Sequence, residues 1–123
     1  MKKNGTILVI ESERIVSMEI KMELELKGYS VIQANSLSHL QELKDQPAYK
    51  AVIIDIDQLR DKDFEVLKQS FDSTKVPVIA IGSDIPENEG YETIKFVQTF
   101  VKPINCKSIA SLIDSNFTAL KYN

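Results

Sequence analysis

Asp55 closes the run Ala51-Val52-Ile53-Ile54-Asp55, in which small or branched apolar residues stand side by side. Such a run suits a strand buried on both faces of a parallel sheet, and Asp55 then emerges where the strand ends. Ligands of open α/β sheets bind in the crevice beyond the carboxyl ends of the strands, so an acid at that point is placed for chemistry. Two more short apolar runs end in polar groups: Ile7-Leu8-Val9-Ile10 leads into Glu11-Ser12-Glu13, and Val78-Ile79-Ala80-Ile81 into Gly82-Ser83-Asp84. Another, Phe100-Val101, leads to Lys102-Pro103. If these segments are parallel neighbours, acids, hydroxyls and a lysine gather on a single rim.

The whole chain must supply that sheet. Its 123 residues suit one domain with a core of its own. The net charge of -3 carries no footprint for nucleic acid or anionic lipid. The single cysteine, Cys106, has no internal disulfide partner and fits a reducing cytoplasm. The basic start Met1-Lys2-Lys3 precedes only a short apolar run before Glu11, which is too little for a signal peptide, and no run approaches membrane-spanning length.

The elements follow in order. Thr6 to Ile10 reads as a strand. The next segment, Ser17 to Lys27, alternates polar and apolar residues, which is a strand pattern, yet it is built of Met, Glu, Leu and Lys and stops at Gly28. Composition and length favour a helix from Arg14 to Lys27. On that helix Val16, Ile20 and Leu24 share one side, while Ile15, Met18, Met22 and Leu26 lie roughly opposite, so one apolar strip faces solvent or a partner.

Tyr29 to Ala34 reads as a second strand. Ser36 can cap a helix through Asp45, and the central strand spans 51 to 55. Asp63 can cap a helix that turns Phe64, Leu67 and Phe71 inward, and Val76 to Ile81 forms a strand opened by Pro77. A short helix at Tyr91 to Lys95, a last strand at Phe96 to Val101 and a closing helix capped by Asn105 complete the chain. The stripe Ile109, Leu112, Ile113, Phe117 and Leu120 is the buried face of that closing helix. Strands alternating with helices in this way predict a doubly wound α/β sandwich on a five-stranded parallel sheet, as a single domain over residues 1–123.

In this order and approximate spacing, Ile7-Leu8-Val9-Ile10-Glu11-Ser12-Glu13, Lys27-Gly28-Tyr29, Val52-Ile53-Ile54-Asp55, Val76-Pro77-Val78-Ile79-Ala80 and Val101-Lys102-Pro103 resemble the receiver domain of two-component response regulators (CheY-like) across essentially the whole chain. The resemblance implies a flavodoxin-like α/β/α sandwich with strand order 2-1-3-4-5. It also implies phosphoryl transfer from a phosphohistidine to Asp55, with Lys102 pairing the phosphoryl group. Glu11, Ser12, Asp55 and the main-chain carbonyl of Asp57 fall on the positions that hold Mg²⁺. The charge of a carboxylate nucleophile must be screened from the phosphoryl oxygens, which is the work of the cation and the lysine.

The sequence departs from the family pattern at several of these places. Ser12 puts a neutral hydroxyl where an acid normally serves the metal, so Mg²⁺ binding is expected to be weak. The position of the phosphoryl-binding hydroxyl is Gly82, and Ser83 offers that hydroxyl one residue late, where an extended strand turns its side chain to the other face. Thr99 takes the place of a switching aromatic beside Phe100. Leu59 and Asp63 replace the residues that usually shape the loop after the phosphoacceptor.

The expected function is therefore a cytoplasmic receiver that shifts a protein-interaction surface on phosphorylation, without enzymatic turnover of its own. The alternative is a degenerate pseudo-receiver acting by phosphorylation-independent contact. The implied partners are a histidine kinase or phosphotransfer protein and a downstream protein target; a homodimer is also open, and neither nucleic acid nor membrane is expected to be touched directly. A flavin or nucleotide binder would cradle phosphate on glycine-rich main chain, whereas the first strand here runs into Glu11-Ser12-Glu13. His39 and Cys106 are read as structural or surface residues.

Overall fold

The computed structural model describes residues 5–39, 48–57, 59–71, 76–83 and 96–121, with side chains of the last helix as far as Ser115. Five strands form one parallel sheet in the order β2-β1-β3-β4-β5: β1 (Thr6–Ile10), β2 (Ser30–Ala34), β3 (Tyr49–Asp55), β4 (Val78–Gly82) and β5 (Gln98–Val101). Three α-helices are described: α1 (Arg14–Leu26), α2 (Asp61–Phe71) and α3 (Cys106–Lys121). This is the expected architecture and strand order.

The apolar runs are continuous because alternate residues serve opposite faces of one sheet. Leu8, Ile10, Val52, Ile54, Val78 and Ala80 join Phe64, Leu67 and Phe71 of α2 in one core cluster. Ile7, Val9, Ala51, Ile53, Ile79 and Ile81 join Ile20 and Leu24 of α1 and Ile109, Ala110 and Ile113 of α3 in the other. The sheet is thus packed between helices on both sides, with β1 and β4 and most of β3 buried and the edge strands β2 and β5 partly exposed.

The helix reading of residues 14–27 is borne out despite the alternating pattern. Ile20 and Leu24 are fully buried, while Ile15, Met18, Met22 and Leu26 remain exposed, Met22 by 60% and Leu26 by 79%. The helix ends one residue earlier than expected, with Lys27 as its cap. Gly28 follows at φ 94, a left-handed value that glycine adopts without a Cβ clash. Its N–H donates to the Glu25 carbonyl at 3.0 Å and the Tyr29 N–H to the Leu24 carbonyl at 3.1 Å, the two bonds of a Schellman closure. Tyr29 and Leu24 then meet in the same core cluster, and the Tyr29 hydroxyl donates to Asp114 of α3 at 3.2 Å. Burial first, and then the charge of Asp114, push the Tyr29 phenol up to about 12.

Some boundaries move. β3 begins at Tyr49 rather than at 51, because Lys50 interrupts the apolar pattern where the pairing with β1 shifts register. β4 starts at Val78 and β5 at Gln98, both later than read from sequence, and β2 starts at Ser30. Asp63 does not cap α2 from outside. The helix starts at Asp61, and the Asp63 carboxylate reaches back to accept the Arg60 N–H at 2.9 Å, the inner half of a capping box. Asn105 does cap α3, accepting the Ser108 N–H at 3.1 Å. Of the expected helix from Ser36, a 3-10 turn at Leu37–His39 is described; its remainder, the helix expected at 91–95, and the side chains of Phe117 and Leu120 lie outside the described residues.

Candidate functional site

Three strand ends carry the site. The backbone holds Glu11 and Lys102 just past their strands and Asp55 as the last residue of β3: the Glu11 N–H donates to the Ala34 carbonyl at 2.9 Å, the N–H of Ile56, next after Asp55, to the Ile81 carbonyl at 2.8 Å, and the Lys102 N–H to the Gly82 carbonyl at 2.8 Å. Each bond continues a strand ladder by one step, so parallel register alone delivers Glu11, Asp55 and Lys102 to one edge.

There the Lys102 ammonium lies 2.8 Å from Asp55 Oδ2 and 2.9 Å from Asp57 Oδ2. The Asp55 side chain is 7% exposed, so this pair is largely withdrawn from water and its charges are poorly screened. Asp55 Oδ1 accepts the Asp57 N–H at 2.9 Å, which folds the chain tightly after β3. Burial works against the Lys102 ammonium, but its bonds to Asp55 and Asp57 outweigh that and hold its pKa above the usual lysine value.

Glu11 is 3% exposed. Its Oε1 accepts the Glu13 N–H at 3.0 Å, while the buried Oε2 has no hydrogen-bond partner. Burial, above all, pushes its carboxyl up to about 7; the Glu13 N–H opposes this, the charge of Asp55 adds to it, and Lys102 offsets only part. A cleft of about 180 Å³ opens over Glu11, Ser12 and Asp55, walled by Asn35, Leu37, Leu59 and Asp63.

The site residues expected from sequence therefore assemble, with corrections. Ser12 is exposed and lines the cleft. Ser83 is not turned away as strand geometry predicted. It lies one residue beyond the end of β4 at Gly82, outside the pleat, and its hydroxyl donates to Asp57 Oδ2 at 2.8 Å. Its N–H donates to Asp57 Oδ1 at 2.8 Å. Glu13, an acid of the loop after β1, is exposed at the start of α1, and Asp84 lies outside the described residues.

The group that sequence reasoning placed differently is the Asp57 side chain. Expected to contribute its main-chain carbonyl, or to lend its charge to a metal, Asp57 is instead bound through its carboxylate by Lys102, the Ser83 N–H and the Ser83 hydroxyl. Burial alone would raise its pKa, but the Ser83 N–H, Lys102 and the Ser83 hydroxyl together lower it. The available signal was an acid two residues after Asp55, in a turn facing the lysine. Among the described residues, no three acidic, His or Cys side chains are grouped to hold a metal. The donor set at the cleft is instead two carboxylates, a hydroxyl and main chain, and the orphaned Glu11 Oε2 is an atom that a hard cation would satisfy. Mg²⁺ is commonly held by one or two carboxylates with water completing its shell, so these residues fit the ion, though with little charge to bind it tightly.

This fold recurs in solved structures. A CheY-like receiver domain protein from Methanospirillum hungatei JF-1 superposes with a TM-score of 0.81 at 17% identity, the match covering 98% of this chain and 98% of that one. An orphan response regulator of H. pylori gives 0.76 at 19% identity over 94% of this chain and 98% of its own. The receiver domain of a sensor histidine kinase from Pseudomonas aeruginosa PAO1, with a magnesium ion coordinated in its active-site cleft, gives 0.72 at 16% identity over 89% and 94%. No protein-family model and no curated protein sequence matches the chain. Its fold is that of the response-regulator receiver domains.

Proposed function

We propose that the protein is a receiver of two-component signalling that accepts a phosphoryl group on Asp55 from a histidine kinase or phosphotransfer partner and so alters a protein-interaction surface. The observation that carries this reading is the ion pair of Asp55 with Lys102 at 2.8 Å, at the carboxyl edge of the central strand and beside the buried Glu11. In the transfer, a carboxylate oxygen of Asp55 forms a bond to phosphorus as the phosphorus–nitrogen bond of the phosphohistidine breaks. The electron pair of that bond stays on the imidazole, and the product is an acyl phosphate. Lys102 neutralises charge on the phosphoryl oxygens as they approach the carboxylate. Glu11, Asp55, the main-chain carbonyl of Asp57 and Ser12 are the groups that would hold Mg²⁺, and the ion when bound supplies further screening between nucleophile and phosphoryl group. The chain works as a switch without turnover of its own, in the cytoplasm; among the described residues no helix is long and apolar enough to cross a membrane.

The exposed strip Ile15, Met18, Met22 and Leu26 on α1 is the surface we assign to the partner, since the opposite side of that helix already supplies the core. One observation favours the second reading, a phosphorylation-independent interaction module: Lys102 and Ser83 are already engaged by Asp57. Incubation with a small phosphoramidate, with and without Mg²⁺, followed by intact mass measurement, tests the first reading. Addition of one phosphoryl group that requires Mg²⁺ and disappears in Asp55→Asn supports it. No addition supports the second, and addition that persists in Asp55→Asn overturns Asp55 as the acceptor.

A further inference from the structure

The side chain of Asp57 holds three donors at once. Its Oδ2 is 2.9 Å from the Lys102 ammonium and 2.8 Å from the Ser83 hydroxyl, and its Oδ1 accepts the Ser83 N–H at 2.8 Å. A cation, a hydroxyl and a main-chain N–H converging on one small anion make a built anion pocket, and charge-assisted bonds of this length are the strong ones. The pocket adjoins Asp55, because the same Lys102 nitrogen is 2.8 Å from Asp55 Oδ2. A phosphoryl group on Asp55 would carry its oxygens toward that ammonium. It would meet a carboxylate already seated there, and like charges brought together without a screening cation repel strongly.

We propose that Asp57 is the resident anion of this pocket, and that its carboxylate competes with a phosphoryl group on Asp55 for Lys102 and Ser83. The proposal rests on the reading of Asp55 as phosphoacceptor and adds what limits it: the pocket accepts a tetrahedral anion only when Asp57 swings out. The barrier belongs to the side chain alone, since Asp57→Ala keeps the main-chain carbonyl and the N–H that Asp55 Oδ1 accepts.

The test uses the whole chain and beryllofluoride, a phosphoryl mimic, with Mg²⁺, read by amide NMR on the wild type, Asp57→Asn, Asp57→Ala and Asp57→Ala/Asp55→Asn. Beryllofluoride is expected to bind Asp57→Ala about tenfold or more tightly than the wild type, with Asp57→Asn between them and the Asp55→Asn double variant silent. Equal affinity in the wild type and Asp57→Ala overturns the competition and leaves Asp55 as phosphoacceptor. Silence in every variant, with each folded by its amide spectrum, overturns the phosphoacceptor reading and this proposal with it. Hydrogen exchange gives a check that needs no phosphoryl mimic: the Ser83 amide should exchange faster in Asp57→Ala, and an unchanged rate means that Asp57 does not hold that donor.

Discussion

Glu11→Gln tests the electrostatics of the cleft most directly. Burial and the neighbouring Asp55 raise the Glu11 carboxyl from its ordinary 4.5 to about 7. Below about pH 4.5 both folded and unfolded chains hold this proton, and above about pH 7 both release it. Between those limits the folded chain keeps a proton that the unfolded chain has lost, so this group makes stability fall as pH rises. The gap between the two values corresponds to roughly 3 kcal/mol, fully expressed above pH 7. Gln matches the protonated acid in shape and never ionises. Urea unfolding in metal-free buffer should therefore find Glu11→Gln close to the wild type at pH 4 and more stable by up to roughly 3 kcal/mol at pH 8. The difference between the two proteins cancels the titrating groups remote from Glu11 and leaves Glu11 together with its charged neighbours Asp55 and Lys102. A difference that does not change with pH, or a variant less stable at pH 8, would refute the claim that Glu11 is held at an energetic cost as a buried carboxylate.

Mg²⁺ binding should weaken as pH falls below about 7, where the ion must displace the Glu11 proton, and Ser12→Asp should tighten it by roughly tenfold; a calorimetric titration that gives an unchanged midpoint for Ser12→Asp would clear Ser12 as the weak link. Gly28→Ala places a Cβ at φ 94 and should destabilise the protein by about 1–2 kcal/mol in urea unfolding, without changing the spectra of the cleft. Replacing both Met18 and Met22, which are 49% and 60% exposed, with Glu should change unfolding free energy by no more than about 1 kcal/mol while abolishing capture of the cognate kinase or phosphotransfer protein. Undiminished capture would move the contact off α1.

Much of this protein was legible in its residues because the signals were local. The apolar runs at Ile7, Val52 and Val78 read as strands buried on two faces, and the sheet uses them so, alternate side chains filling opposite cores. The helix at Arg14 to Leu26 could be chosen over a strand because composition and the stop at Gly28 outweighed the period, and its Schellman closure shows why the glycine ends it. Asn105 announced its cap, whereas the acid at Asp63 was compatible with two positions at a helix start and was assigned to the wrong one.

Sequence by itself determined which groups would stand on the rim: Glu11, Asp55 and Lys102 follow directly from where their strands end, and parallel pairing needs nothing more to bring them together. Tertiary structure decided how those groups divide their bonds. Ser83 escapes strand alternation because β4 has ended at Gly82, and Lys102 is shared between Asp55 and Asp57 because the turn after β3 aims both carboxylates at one nitrogen. The burial that raises Glu11 to about 7 likewise belongs to no residue of the chain alone. Strand and helix patterns arise from neighbours a few positions apart, whereas a bond between side chains from separate strand ends depends on ångström differences in where those ends finish.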